Sequence, residues 1–225
     1  MKKIALSSLI GAALLASTAQ AEITANVALA TDYMFRGISQ TDNSAAISGG
    51  FDYGYEGFYA GVWASNVDEN FYPGANVEID TYLGWGGTSN DLSYDVGFLR
   101  YNYPSVKDSD TNTNEWYGSL GYDFGVASVK GGVAFSDDFF GTGNSGYYSL
   151  GVDVPIGDYA IAVGYGHQDM DNSKSYDHYS FGVSGEIVSL GWDLTWHDSD
   201  KDAHKAAGKD NLSDGRVVFT VSKSL

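Results

Sequence analysis

The chain has 225 residues, with 29 Asp and Glu against 12 Lys and Arg, a formal net charge of −17 and no cysteine. That balance repels nucleic acid, and the absence of thiols excludes disulfides, thiolate metal centres, cysteine nucleophiles and an N-terminal lipid anchor. With 43% hydrophobic and 15% aromatic residues it is not a disordered acidic chain.

The first expected element is an export signal. Lys2 and Lys3 give a positive start, Ile4 to Ala16 an apolar core, and Ala19-Gln20-Ala21 a small-x-small cleavage site. The apolar run is too short to span a bilayer as a helix. Residues 1–21 therefore read as a signal peptide and 22–225 as one mature domain. No later stretch reaches the roughly 18 apolar residues that a spanning helix needs.

The mature domain holds about a dozen short segments that alternate with a period of two, the signature of strands with two unlike faces. The first runs from Ile23 to Phe35. Its odd positions, among them Val27, Leu29, Tyr33 and Phe35, oppose even positions that include Asn26, Asp32 and Arg36. The second, Ala45 to Tyr53, carries Asp52 on its polar face. Phe58 to Ser65 is apolar on both faces and has no assignable orientation. Val77 to Trp85 sets Glu78 and Asp80 against its apolar side, and Leu92 to Phe98 sets Asp95 there. Trp116 to Tyr122 opposes Ser119. Ala127 to Phe135 opposes Lys130, and Tyr148 to Val154 opposes Asp153. Tyr159 to Tyr165 and Tyr179 to Val183 carry only small residues on the polar side. Leu190 to Trp196 opposes Asp193, and Val217 to Val221 opposes Arg216.

Connections alternate between short Gly/Asp turns and long acidic loops. That rhythm, with apolar faces rich in aromatics and nearly free of charge, predicts an all-β fold. The expected architecture is a transmembrane antiparallel up-and-down β-barrel of about 12 strands, with its greasy face towards lipid. A soluble β-sandwich also alternates, with the apolar face inward, but would not gather Tyr and Trp towards strand ends.

In a barrel the polar face looks into the lumen. The expected pore-lining residues are Asp32, Arg36, Asp52, Glu78, Asp80, Asp95, Lys130, Asp153, Asp193 and Arg216, a set whose carboxylate surplus favours cations. The opposing expectation is internal ion pairing in a filled, closed barrel. Arg100 is a misfit: alternation points it outward beside Phe98, and a β-bulge that switches the register is the preferred account, with an outer-interface site as the other. The loops hold clustered acids, including Asp108, Asp110, Asp137, Asp138 and Asp198. Asp169-Met170-Asp171-Asn172 and Asp198-Ser199-Asp200-Lys201-Asp202 have a faint look of calcium loops but lack the Gly and distal Glu of that pattern. Solvated loops are the plainer reading. His167 falls on the apolar face, where some barrels carry a Ser–His lipid hydrolase pair, but no nucleophile stands beside it. His197 and His204 lie among acids. No catalytic residue, metal site or cofactor is expected.

Asp32-Tyr33-Met34-Phe35-Arg36-Gly37-Ile38-Ser39-Gln40-Thr41 resembles the TorF-type porin family of the bacterial outer membrane (Gcw_chp). Phe58 to Val67 and Glu78 to Trp85 strengthen the likeness. The resemblance implies an outer-membrane barrel and a porin, and brings no catalytic residue. The expected function is passive diffusion of small hydrophilic solutes, cationic or neutral. The alternative is a non-conducting structural or adhesive barrel whose acidic external loops bind a partner or divalent cations. Expected partners are outer-membrane lipid and lipopolysaccharide, the outer-membrane assembly machinery and the solutes themselves.

Overall fold

The computed structural model describes residues 21–69, 72–106 and 112–225. Apart from Ala21, the expected signal peptide lies outside them, as do Asp108 and Asp110. Twelve strands form one closed antiparallel barrel. In chain order they are β1 (Glu22–Ala30), β4 (Ala46–Tyr55), β5 (Phe58–Asn66), β6 (Val77–Ser89), β7 (Leu92–Asn102) and β8 (Thr113–Asp123). The second half comprises β9 (Ser128–Ser136), β10 (Ser145–Ile156), β11 (Tyr159–Met170), β12 (Tyr176–Ile187), β13 (Leu190–Ser199) and β14 (Arg216–Ser224). A small hairpin, β2 (Met34–Phe35) with β3 (Ile38–Ser39), is inserted between β1 and β4. Each barrel strand pairs with its sequence neighbour, and β1 closes the ring by pairing with both β4 and β14. Closure leaves no free edge, which is what permits a sheet this large to stand in lipid.

The period-two pattern determines which face is outside. On β1, Ile23 is 76% exposed and Leu29 59%, while Thr24, Asn26 and Ala28 between them turn inward. The same holds on β8, where Trp116, Leu120 and Tyr122 look out and Ser119 looks in. The strand without an assignable orientation is resolved by its neighbours. Phe58 and Val62 are exposed, whereas Tyr59 and Ser65 are buried. Outward aromatics form two belts. Trp85–Tyr94, Tyr122–Phe124 and Tyr159–Trp192 meet at 5.0, 4.7 and 6.0 Å near the short turns. Phe98–Trp116, Phe135–Tyr148 and Tyr165–Tyr179 meet at 4.9, 6.1 and 5.6 Å near the long loops. Amphipathic rings favour the two bilayer interfaces, so the belts mark the membrane's edges.

Connection lengths alternate as expected. Short turns come after β4, β6, β8, β10 and β12, and long loops after the strands between. The long-loop end is the external one in barrels of this kind. Three sequence expectations need correction. The first strand stops at Ala30 instead of reaching Phe35: Tyr33, expected on the outer face, is only 2% exposed, and the chain folds back into the barrel. Arg100 needs no bulge. Pairing runs unbroken on both sides, through Thr81↔Arg100 and Arg100↔Asn114, and the side chain stays outward, donating to Asn102 Oδ1 and Asn114 Oδ1 at 2.9 and 2.8 Å. Finally, the Asp198–Asp202 segment is a helix cap. Asp200 Oδ1 accepts from Asp202 N and Ala203 N, starting the short helix α1 (Lys201–Ala207) inside the longest loop.

Candidate functional site: the lumen

The lumen differs along its length. At the short-turn end the inward side chains are small or charged and at least partly exposed, among them Asp52 and Asp95, then Ser128, Lys130, Asp153 and Asp193. Glycine dominates the gaps between them. At the long-loop end the inward side chains are sealed. Ser65, Glu78, Asp80, Leu99, Tyr101, Thr113, Glu115, Ser136, Ser145 and Gln168 are all under 7% exposed.

The seal is the β2–β3 hairpin. Residues 31–45 do not stand above the barrel but bend into its mouth. Tyr33 meets Trp63 edge-on at 5.4 Å, and Phe35 meets Tyr101 at 5.6 Å. Tyr72, Tyr103, Val106 and Phe140 from neighbouring external loops pack over this side. On the other side Ile38 packs with Tyr176, Ala203 and Leu212, so α1 and the last loop hold the hairpin from above. The backbone is tied as well: Gln40 N donates to Tyr33 O at 2.7 Å and Asp68 N to Gln40 O at 2.8 Å.

The hairpin tip, Arg36-Gly37, has both residues at positive φ, 48° and 80°. This is the tight turn whose twist suits two antiparallel strands. Glycine is needed at 37, because a Cβ there would lie 2.6 Å from His178 Cβ. Arginine at φ 48° costs about 1–2 kcal/mol relative to a right-handed residue, a cost its side chain offsets. Arg36 Nη2 donates to both carboxylate oxygens of Glu115 at 2.9 and 2.8 Å, and Nη1 donates to Gln168 Oε1 at 2.7 Å. The guanidinium also lies 4.8, 5.2 and 4.1 Å from the ring centres of Phe35, Phe139 and Tyr147. One side chain thus joins the plug to β8 and β11.

The remaining inward charges have distinct surroundings. Asp32 is buried, accepts from Ser39 Oγ and Thr41 Oγ1, and pairs with Arg216 at 2.9 Å. Glu78 accepts from Tyr33 and Tyr103 hydroxyls. Asp80, also on β6, is 1% exposed, and neither of its oxygens has a hydrogen-bond partner among the described residues. Below them, three tyrosines form a shelf at mid-lumen. Tyr82 donates to Asp52, Tyr59 donates to Asp95, and Tyr117 then donates to Tyr59. Tyr117 lies flat over Gly97, where a Cβ would come within 2.4 Å of its ring. Asp193 accepts from Thr195, and Lys130 faces the lower lumen from opposite Gly121 and Gly151.

Of the ten residues expected to line a pore, Asp52, Glu78, Asp80, Asp95, Lys130, Asp153, Asp193 and Arg216 occupy inward positions of barrel strands, with Glu78 and Asp80 sealed from solvent. Asp32 and Arg36 lie instead in the inserted segment between β1 and β4. Glu115 and Gln168 lie beyond the apolar runs that mark their strands in the sequence, so the alternation did not single them out. Both have the parity of a residue already placed inside: Glu115 shares it with Ser119, Gln168 with Gly164. His167 does face outward. Its Nδ1 lies 2.8 Å from Asp177 Oδ1, the oxygen that Tyr165 also bonds, and its neighbours include no nucleophile. Among the described residues, no three His, Asp or Glu side chains converge as a metal site would require.

The sequence profile described as "Bacterial protein of unknown function (Gcw_chp)" matches residues 15–225. The chain belongs to the Gcw_chp family. None of the curated proteins matches it significantly. Among solved structures, a KdgM porin in complex with disordered oligogalacturonate superposes with a TM-score of 0.60 at 9% identity, over 92% of this chain and 99% of that one. The NanC porin superposes with a TM-score of 0.57 at 10% identity, over 88% and 97%. At such identities the likeness establishes the fold, a closed antiparallel β-barrel like that of those porins.

Proposed function

We propose that the protein is an outer-membrane channel for passive diffusion of small hydrophilic solutes, with cations favoured over anions. The observation that carries this is the charge left in the lumen after internal pairing. Arg216 is committed to Asp32 and Arg36 to Glu115. Asp52, Asp95, Asp153 and Asp193 then face the lower lumen, with Lys130 as the cation among them. In a narrow space bounded by low-dielectric wall, such a surplus raises local cation concentration and repels anions. An oligogalacturonate, the polyanion in the KdgM complex, is a poor fit to that field. Lipopolysaccharide surrounds the upper belt in this reading, the assembly machinery inserts the barrel, and no catalytic step is involved.

The hairpin in the barrel mouth favours a second reading, a non-conducting barrel whose folded external surface binds a partner. Single-channel recording in planar bilayers separates the two. A channel gives steady current steps whose reversal potential in a KCl gradient lies towards the potassium equilibrium value. Replacing Asp95 and Asp153 by Asn should move that potential towards zero. Silence from a correctly folded barrel would support the second reading, and an anion-selective current would refute the first.

A further inference from the structure

Three carboxylates, Glu78, Asp80 and Glu115, lie in the sealed half of the lumen, and among the described residues Arg36 is the cation bonded to any of them. Arg36 is spent on Glu115, which also takes the Tyr101 hydroxyl. Glu78 is satisfied by two tyrosine hydroxyls, a neutral arrangement that leaves its charge in place. Asp80 differs: both its oxygens are buried and, among the described residues, without a hydrogen-bond partner. A buried carboxylate in that condition is the costliest kind of polar group, and native proteins seldom leave one without water, ion or ligand. Protonation alone would remove the charge but not the missing hydrogen bonds.

The surroundings are those of a cation niche. Antiparallel register places Asp80 between Trp63 on β5 and Tyr101 on β7, all on the inner face. Glu78 lies two residues away on the same strand and face. Tyr33, edge-on to Trp63, closes the outer side. Aromatic faces attract a cation that has shed water, and the carboxylates supply its counter-charge. A polyanion or a phosphate would add negative charge, and a neutral hydroxyl would supply a hydrogen bond but no counter-charge.

We infer that Asp80, with Glu78, holds one partly dehydrated monovalent cation beneath the hairpin, either an alkali ion or the ammonium head of a small amine. This goes beyond the channel reading and does not depend on it, since a sealed barrel would hold the cation equally well.

The test uses the full mature barrel in detergent micelles. Its thermal unfolding midpoint is measured in chloride salts of N-methyl-D-glucamine, rubidium and methylammonium at equal ionic strength. The midpoint should rise in rubidium, methylammonium or both, relative to the bulky N-methyl-D-glucamine. A rise confined to rubidium identifies an alkali ion, and one confined to methylammonium identifies an amine. Asp80→Asn should abolish the difference between salts, and Glu78→Gln should reduce it. Crystals grown in rubidium chloride provide a second readout that needs no variant: the alkali form predicts anomalous density beside Asp80. Equal midpoints in all three salts, with no density at Asp80, would overturn the inference. So would a salt dependence that survives Asp80→Asn. None of these outcomes bears on conduction, so the channel reading stands or falls by its own recording.

Discussion

The two halves of the barrel use the same alternating strands to opposite ends. Near the short turns the inner face is mostly Gly, Ser and Asp with Lys130 among them, partly exposed and spaced apart. Near the long loops the same parity delivers Tyr101, Glu115 and Gln168, and an inserted hairpin fills the space between them. The outer face hardly changes along that length, because lipid asks the same of every strand. The comparison teaches that the bilayer fixes the exterior of such a protein, while its interior is free to be wet or packed. One buried arginine, Arg36, ties that hairpin to the barrel wall.

The largest effect should come from that arginine. Arg36→Ala leaves Glu115 buried without its counter-ion, which by analogy with other broken buried pairs should cost about 3–5 kcal/mol. Chemical denaturation of the folded barrel in micelles measures the loss. Adding Glu115→Gln should recover part of it, because the pair is coupled. Additive losses would show that the hairpin is held by something else.

A smaller effect is expected at the boundary itself. Gly97→Ala pushes a methyl into the ring of Tyr117, and overpacking of this kind costs about 1–3 kcal/mol. It should also displace Tyr59, which shares its hydroxyl with Tyr117, and so loosen Asp95. A change in stability without any change in cation selectivity would separate the shelf from the field below it.

The smallest lies outside the membrane. In α1, the Lys205 ammonium hydrogen-bonds Asp202 and holds its carboxyl below the ordinary carboxylate range. A lowered value means that the pair helps the folded helix at neutral pH and stops helping as pH falls through it. Both groups are exposed, so Lys205→Ala should leave the global unfolding midpoint unchanged. The expected change is faster amide exchange over residues 201–207 at neutral pH, fading under acid. A global destabilisation would mean that α1 does more to clamp the hairpin than its contacts suggest.

The barrel was legible in the sequence because one rule, apolar outward and polar inward at period two, holds along most of the barrel strands between Ile23 and Val221 and needs no long-range information. Even the alternation of short and long connections comes from local turn chemistry. The plug was not legible for the same reason. Through Asp32, Tyr33 and Arg36 the alternation continues smoothly past Ala30, so nothing local announces that the strand has ended. What turns the chain inward is a set of partners far away: Glu115, Gln168, Tyr101 and Tyr103. Glu115 and Gln168 sit beyond the last obvious apolar residue of their strands. The inner parity of Ser119 and Gly164 extends to them unbroken, so the signal that finds both is present in the sequence. Arg100 shows the converse: the simple alternation was right, and a bulge to excuse a charge on the outer face is unnecessary.

The contrast between the halves can be read on a single strand. Ser145 and Ser149 share the inner face of β10, the first buried above the boundary and the second half-exposed below it. The native chain has no cysteine, so Ser145→Cys and Ser149→Cys each introduce one thiol. With a water-soluble thiol reagent on the folded barrel, the account predicts rapid labelling at 149 and slow labelling at 145, the latter becoming rapid when Arg36→Ala is added. Equal rates at the two positions in the native background would contradict it.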